Sequence, residues 1–189
     1  SLTAADWMAG FTVMSHQTEL QVCETFLSVQ GETTYAGWPC FFIRLAGCNL
    51  RCVYCDTPQA RAAGRSVTVE QLAREFRQSG VRLVNVTGGE PLLQPGLSVL
   101  LRALRADGVV LVETNGSCDI SVIPPRVAAI LDLKCPSSGV AEAMDWRNLE
   151  RLRRYDEVKF VVADRADFDW AARILKRRRL AERCRAVLF

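Results

Sequence analysis

From residue 40 onward, short apolar runs alternate with amphipathic segments, and this alternation restricts the fold more than any other feature of the sequence. A regular alternation of strands and helices favours parallel strand pairing with right-handed crossovers. The predicted strands are residues 40–46, 82–87, 109–114, 128–133, 157–162 and 185–189. The predicted helices are residues 69–78, 96–106, 145–155 and 165–179, and Thr68 is suited to cap the first of them.

These elements predict a single α/β domain, a partial (β/α) barrel of about six parallel strands with the last strand at the chain end. The strands are continuously apolar, as expected when helices cover one face of the sheet and a filled interior covers the other. We place the domain at residues 18–189. Residues 1–17 have neither clear periodicity nor the pattern of a secretory signal, and they are predicted to be a leader or extension.

The composition is that of an ordinary globular enzyme, with 49% hydrophobic and 24% charged residues. A net charge of +3 is too small to indicate nucleic-acid binding, and the basic run at 176–179 is interpreted as a solvated helix face. No apolar stretch approaches the roughly 20 residues that span a bilayer. We therefore expect a cytoplasmic protein that binds neither membranes nor nucleic acid directly.

Cys48, Cys52 and Cys55 lie within eight residues, on the loop that follows the first predicted strand. Three thiolates with this C-x3-C-x2-C spacing can bind three irons of a [4Fe–4S] cluster and leave the fourth iron open. Zinc is the alternative, but structural zinc normally has four ligands and the only histidine, His16, lies in the predicted leader. Four further cysteines are scattered singly and are interpreted as core residues: Cys40, Cys118, Cys135 and Cys184.

Polar residues follow each of the first four predicted strands, at 48–57, 87–90, 113–117 and 132–134. In (β/α) barrels the loops at the carboxyl ends of the strands form one face, where active sites lie. The four segments are therefore predicted to converge on one site. The sequence does not decide which of Glu113, Asn115 and Lys159 contact a ligand there.

The cysteine spacing, with aromatic Tyr54 before the last cysteine, resembles the motif of the radical S-adenosylmethionine (SAM) superfamily. Residues 88–91, Gly-Gly-Glu-Pro, resemble the segment with which those enzymes hold the amino group of SAM. This resemblance implies that SAM chelates the open iron, and that Gly88, Gly89 and Glu90 help to bind it. On their own, two glycines after a strand also suit an ordinary tight turn.

Two further segments carry a closer resemblance. Residues 26–32 read Phe-Leu-Ser-Val-Gln-Gly-Glu, and residues 42–48 form an F-x-R-L-x-G-C approach to the first cysteine. With the Cys-Asp-Thr at 55–57, they make the chain similar to the 7-carboxy-7-deazaguanine synthase family from about residue 22 to the end. The resemblance implies SAM contacts at Tyr54, Cys55, Asp56, Gly89, Ser117 and Lys134. It implies substrate contacts at Val29, Gln30, Gly31, Arg44 and Thr87, and a Mg²⁺ contact at Thr57.

The family resemblance implies a carbon–nitrogen lyase that converts 6-carboxy-5,6,7,8-tetrahydropterin to 7-carboxy-7-deazaguanine with loss of ammonia, in queuosine and 7-deazapurine biosynthesis. The cluster and SAM would carry the chemistry, so no side chain is expected to act as a catalytic acid or base. The resemblance further implies an electron donor such as flavodoxin or ferredoxin, and a homodimer. Because family members continue past a strand like 186–189, a C-terminal segment is expected to be missing.

Two other functions are weighed against this one. An activating enzyme for a glycyl-radical protein would share the cysteine spacing and the Gly-Gly-Glu-Pro segment, but it is not expected to carry the Ser-Val-Gln-Gly-Glu at 28–32. A non-catalytic zinc module that contacts RNA through residues 176–179 would bind zinc without iron and show salt-dependent affinity for nucleic acid.

Overall fold

The computed structural model describes residues 18–189, so the predicted leader at 1–17 lies outside the described residues. Within residues 18–189, eight strands form one sheet in the order β3-β1-β2-β4-β5-β6-β7-β8. The strands are β1 (Glu19–Val29), β2 (Pro39–Leu45), β3 (Arg65–Thr68), β4 (Leu83–Gly88), β5 (Val109–Thr114), β6 (Ala128–Asp132), β7 (Glu157–Lys159) and β8 (Ala186–Leu188). The α-helices are α1 (Val69–Gln78), α2 (Leu97–Arg105), α3 (Asn148–Arg151), α4 (Arg165–Arg178) and α5 (Leu180–Arg183).

The predicted set of parallel strands is confirmed, because β2 and β4 to β8 pair in parallel throughout. Since β3 and β8 form the two edges, the sheet is an open, partial barrel. Its strands bury apolar side chains on the outer face against α1 and α2, while Cys40, Leu83, Leu111 and Ile130 form a smaller cluster on the inner face. The interior is therefore filled below the carboxyl ends of the strands, as predicted.

Two strands were not predicted. β1 pairs antiparallel with β2, and the short β3 pairs antiparallel with β1 at the edge of the sheet. Strand β1 is mostly half-buried or exposed, so its apolar pattern is weak, and no helix separates it from β2. Strand β1 therefore forms because it pairs with β2 and β3 in the folded sheet, and the alternation of strands and helices does not predict it.

Most predicted boundaries differ from the observed ones by one residue, and three of the differences have identifiable local reasons. The helix predicted at 145–155 is reduced to α3, because buried Asp156 accepts bonds from the backbone and guanidinium of Arg153 and turns the chain. β7 ends at Lys159 rather than residue 162, since Asp164 begins the cap of α4. α4 ends one residue early because Arg179 adopts a left-handed conformation, with φ of 52°.

The loop between β1 and β2 closes the amino end of the barrel. Glu157 is fully buried on β7, and its carboxylate accepts bonds from the backbone N–H of Thr34, at 3.0 Å, and from the Thr34 hydroxyl. These bonds satisfy a buried charge that would otherwise be costly. The loop between β1 and β2 is therefore fastened to the first residue of β7. None of the helices formed by residues 18–189 has the length and apolarity needed to cross a bilayer.

Helix α1 begins with a capping box, which confirms the prediction that Thr68 caps this helix. The Thr68 hydroxyl accepts from Gln71 N at 3.2 Å, and the Gln71 side chain accepts from Thr68 N at 3.0 Å. The helix then buries Val69, Leu72, Ala73 and Phe76 against the sheet. Two of the N–H groups that a helix start leaves unpaired are thereby satisfied.

We expect Thr68→Ala to lower the free energy of unfolding by about 1 kcal/mol, because the N-terminal hydroxyl cap is lost. Urea denaturation of the apoprotein measures the change. Thr68→Ser keeps the hydroxyl and is the matched control, with an expected change of less than about half that value. Equal losses in the two variants would show that the cap does not stabilise α1.

Candidate active site

A cavity of about 620 Å³ lies at the carboxyl ends of the parallel strands. Segments after β2, β4, β5 and β6 all contribute to its wall. The prediction that the four polar segments converge on one site is therefore confirmed. All but two of the predicted site residues line it: Val29, Gln30, Gly31, Arg44, Cys48, Cys52, Tyr54, Cys55, Asp56, Thr57, Thr87, Gly88, Gly89 and Lys134. The three residues left undecided by the sequence also line it: Glu113, Asn115 and Lys159.

The three cysteines of the motif are half-buried on one loop that faces the cavity. Cys48 Sγ lies 3.4 Å from the backbone nitrogen of Leu50, and 3.9 Å from the side-chain nitrogen of Asn115. The thiolate is the form of cysteine that binds metal. Burial raises the pKa of Cys52, whereas the nearby Lys134 ammonium acts to lower it.

The arrangement of sulfur donors fits a cluster better than a single ion. Within residues 18–189, no three His, Cys, Asp or Glu side chains gather around one point as a mononuclear metal site requires. In a [4Fe–4S] cluster each thiolate binds a different iron, so the three sulfurs need not meet at one centre. Three cysteines on one loop beside an open cavity therefore fit a cubane with one free iron.

The Gly-Gly segment packs directly against the cysteine loop. The Gly89 N–H donates to Leu45 O at 3.0 Å, and the Glu90 N–H donates to Gly47 O at 2.7 Å. A Cβ on Gly88 would lie 2.1 Å from Leu45 O, and one on Gly89 would lie 2.0 Å from Gly47 O. Only glycine allows backbones to approach this closely. The segment therefore requires both glycines for packing, whatever ligand it also binds.

Glu90 and Ser117 are the predicted ligand-binding residues that do not line the cavity. The Glu90 carboxylate is fully buried and accepts bonds from Leu92 N, from Thr114 Oγ1 at 2.8 Å and from Asn115 N at 2.7 Å. Burial raises the pKa of Glu90, and these hydrogen bonds oppose the rise. Glu90 thus ties the loop after β4 to the loop after β5 from behind the cavity wall.

Ser117 similarly connects two loops. Its hydroxyl oxygen accepts from Asn49 Nδ2 at 2.8 Å and lies 2.7 Å from Asn115 Oδ1. Asn115 also donates to Asn49 Oδ1 at 3.1 Å. This small amide–hydroxyl network holds the loop after β5 against the cysteine loop, so that Asn115 reaches the cavity and Ser117 supports it.

A group of charged side chains crosses the cavity floor. Lys134 Nζ lies 2.8 Å from Asp132 Oδ2, while Lys159 Nζ lies 2.6 Å from Glu32 and 3.6 Å from Glu113. Burial alone would lower the pKa of each lysine, but the neighbouring carboxylates outweigh burial and raise both pKa values. Both ammonium groups therefore stay charged at neutral pH and can hold anionic groups of a ligand.

Sequence reasoning placed Asp132 in the polar segment 132–134 but gave neither Asp132 nor Glu32 a role in this group. Asp132 and Lys134 are two residues apart at the carboxyl end of β6, the separation that places side chains on the same side of a strand. That signal was present in the sequence. For Glu32, no local signal exists, because its contact with Lys159 joins residues 127 positions apart.

Several buried polar atoms at the cavity have no hydrogen-bond partner within residues 18–189. They are Gln30 Nε2, Tyr54 Oη, Arg61 Nε and Asp132 Oδ1. Burial also raises the pKa of the Tyr54 hydroxyl to about 12, so this group remains a neutral donor. Buried polar groups in proteins are nearly always satisfied. Polar atoms without partners that are concentrated around one cavity indicate that a polar ligand completes the site.

Comparison with known proteins shows to which family this chain belongs. Residues 42–177 match the radical SAM superfamily. A 7-carboxy-7-deazaguanine synthase from Koribacter versatilis is 39% identical over 90% of this chain and 76% of its own length. The synthase from Chlorobaculum tepidum is 45% identical over 84% of this chain and 74% of its own length. The chain belongs to the 7-carboxy-7-deazaguanine synthase family.

A structural comparison agrees with the fold. The crystal structure of QueE from Escherichia coli superposes with a TM-score of 0.74 over 88% of this chain and 81% of QueE, at 23% identity. Because the chain belongs to the radical SAM superfamily and to this synthase family, its cofactors are a [4Fe–4S] cluster and SAM. Neither the glycyl-radical activating enzyme nor the zinc module is favoured by these relatives.

Gly89→Ala is expected to weaken SAM binding at least about tenfold, because the new methyl group must push the segment away from Gly47 O. SAM affinity of the reconstituted protein, followed by the change in its cluster EPR signal, measures the effect. Iron content checks that the cysteine loop is intact. An unchanged SAM affinity would show that the close backbone contact is not needed for the SAM site.

Proposed function

We propose that this chain converts 6-carboxy-5,6,7,8-tetrahydropterin to 7-carboxy-7-deazaguanine with loss of ammonia. The observation that supports this substrate most directly is the placement of Arg44 in the same cavity as the three cysteines. Only its Nε is occupied, by Glu24 at 2.7 Å, so its two terminal nitrogens have no protein acceptor within residues 18–189. A guanidinium with both terminal NH₂ groups free suits a carboxylate.

When bound, the cluster and SAM supply a reductively generated radical that removes one hydrogen from the substrate. The side chains of this protein position and shield the reacting molecule. Lys134 would hold the carboxylate of SAM, since it remains cationic beside Asp132. Gly89 would present backbone to its amino group. Tyr54, Cys55 and Asp56 lie on the cysteine loop and line the cavity, and Lys134 Nζ lies 5.9 Å from the centre of the Tyr54 ring.

The pterin would lie against the segment formed by Val29, Gln30 and Gly31, which lines the cavity. Gln30 is held rigidly, because its backbone N–H donates to Trp38 O and its carbonyl accepts from Gly37 N. Its Nε2 is buried without a partner in the described part of the chain, and it is free to donate to a ring acceptor. Thr87 lies at the end of β4 and completes this side of the cavity.

Thr57 is the proposed contact for Mg²⁺. Its hydroxyl lies 3.3 Å from Asp56 Oδ1, and both residues line the cavity. Oxygen donors in a site with room for water and substrate suit this ion. Mg²⁺ at Thr57 would orient the substrate carboxylate opposite Arg44, a positioning and electrostatic role.

The chain needs a small-molecule substrate and a reductant, as radical SAM enzymes do. A flavodoxin or ferredoxin as that reductant, assembly as a homodimer and residence in the cytoplasm are further proposals that rest on the family resemblance. Size-exclusion chromatography with light scattering tests the dimer. Reduction of the cluster by each candidate donor, followed by EPR, tests the donor.

Incubation of the reduced, reconstituted protein with SAM, Mg²⁺ and the carboxytetrahydropterin tests the reaction. We expect mass spectrometry to detect 7-carboxy-7-deazaguanine and an equal amount of ammonia. Omission of SAM is the control. SAM cleavage without any deazapurine would show that the superfamily chemistry is correct and the substrate is wrong.

Arg44→Ala is expected to lower turnover at least about 100-fold, because the substrate carboxylate loses a charged, bidentate partner. Arg44→Lys is the matched variant: it keeps the charge, loses the planar fork and should recover only part of the activity. Iron content and SAM affinity should be unchanged in both. Full activity in Arg44→Ala would contradict the assignment of the carboxylate to this residue.

A further inference from the structure

We propose that Glu24 and Phe26, on β1, are positioning residues that lock the Arg44 guanidinium in an end-on orientation and so select a carboxylate substrate. This inference rests on the proposed function, since it concerns how the substrate carboxylate is recognised. Neither residue lines the cavity; both act through Arg44.

The geometry holds the guanidinium from two sides. Arg44 Nε donates to Glu24 Oε1 at 2.7 Å, and the guanidinium carbon lies 5.6 Å from the centre of the Phe26 ring. Phe26 in turn stacks on Phe42 with a centroid distance of 5.0 Å and an interplanar angle of 7°. A guanidinium over an aromatic face, with one edge bonded to a carboxylate, has little rotational freedom left.

A guanidinium has two edges that can bind a carboxylate through a pair of N–H groups. One edge contains Nε and a terminal nitrogen, and the other contains the two terminal nitrogens. Glu24 occupies the Nε edge. Only the end-on edge therefore remains for a bidentate carboxylate in the cavity, which determines the direction from which the substrate can bind.

A β-bulge in β1 creates this arrangement. Val22 pairs with Leu45, but the next pair along the ladder joins Glu24 to Arg44, so Cys23 is an extra residue on β1. Without the bulge, Cys23 would lie opposite Arg44. Bulges occur next to active sites, where they redirect a side chain. Here the extra residue places a carboxylate rather than a thiol beside the guanidinium.

The contribution of Glu24 is orientation rather than attraction. Its negative charge would repel the substrate carboxylate, and its side chain is 46% exposed, so solvent screens the ion pair with Arg44. A neutral side chain that still accepts the Nε hydrogen bond should therefore replace it. A side chain without an acceptor should not, because the guanidinium could then rotate.

The test measures binding of pterin-6-carboxylate, a stable fluorescent analogue of the substrate, to the reconstituted protein. We expect Glu24→Ala to bind it about tenfold more weakly, and Glu24→Gln to bind it within about twofold of the unsubstituted protein. Glu19→Ala removes another β1 glutamate, one that bonds Ser66 away from the cavity, and should leave affinity unchanged. SAM affinity, unchanged in all variants, confirms folding.

The same titration with the 6-carboxamide analogue measures the selectivity of the site for a carboxylate over an uncharged amide. The preference for carboxylate over carboxamide should shrink in Glu24→Ala and persist in Glu24→Gln. Phe26→Leu, which keeps an apolar side chain and loses the ring face, should weaken carboxylate binding in the same direction. Wild-type affinity and selectivity in Glu24→Ala, or equal losses in Ala and Gln, would overturn the proposal.

These outcomes are separable from failure of the proposed function. If the unsubstituted protein cleaves SAM but neither binds the carboxypterin nor converts it, the proposed substrate is wrong. If the unsubstituted protein binds and converts it while Glu24→Ala behaves identically, the function stands and only the positioning role fails.

Discussion

The loops after β2 and β4 meet through their backbones, and the rest of the site depends on that contact. Gly89 N–H and Glu90 N–H donate to carbonyls at the base of the cysteine loop, at distances that leave no space for a side chain at either glycine. Glu90 then extends the connection from this junction to Thr114 and Asn115. The cysteine loop, the proposed SAM segment and the loop after β5 thus form one rigid unit.

Within that unit, cationic side chains lie where the anionic groups of SAM and the substrate are proposed to bind. Lys134 and Lys159 remain cationic because neighbouring carboxylates face them, and Arg44 keeps its terminal nitrogens free because Glu24 takes its Nε. A radical reaction needs its substrate held still and apart from water, which positioning provides and acid–base groups do not. The protein therefore contributes orientation, and the cofactors of the radical SAM superfamily contribute the reactivity.

The sequence predicted the parallel strands and the cavity side chains well, because both follow local rules. Apolar runs mark buried strands, and polar residues that follow them must share one face of the sheet. Prediction failed where partners are distant in the chain. The antiparallel β1 and β3 have no periodic signal, and the contact of Glu32 with Lys159 joins opposite ends of the sequence. The sequence also did not indicate that the Glu90 carboxylate is fully buried and bonds Thr114 and Asn115, and the ligand contact of Glu90 stays a prediction.

By itself, the sequence determined the spacing of the three sulfurs, the two adjacent glycines and the order of strands and helices, because each is encoded within a few neighbouring residues. Only the tertiary structure decided which side chain lies opposite Arg44. That choice depends on a bulge that shifts β1 by one residue relative to β2, and a one-residue shift changes every cross-strand partner. Register is a property of two paired segments, so neither segment alone contains it.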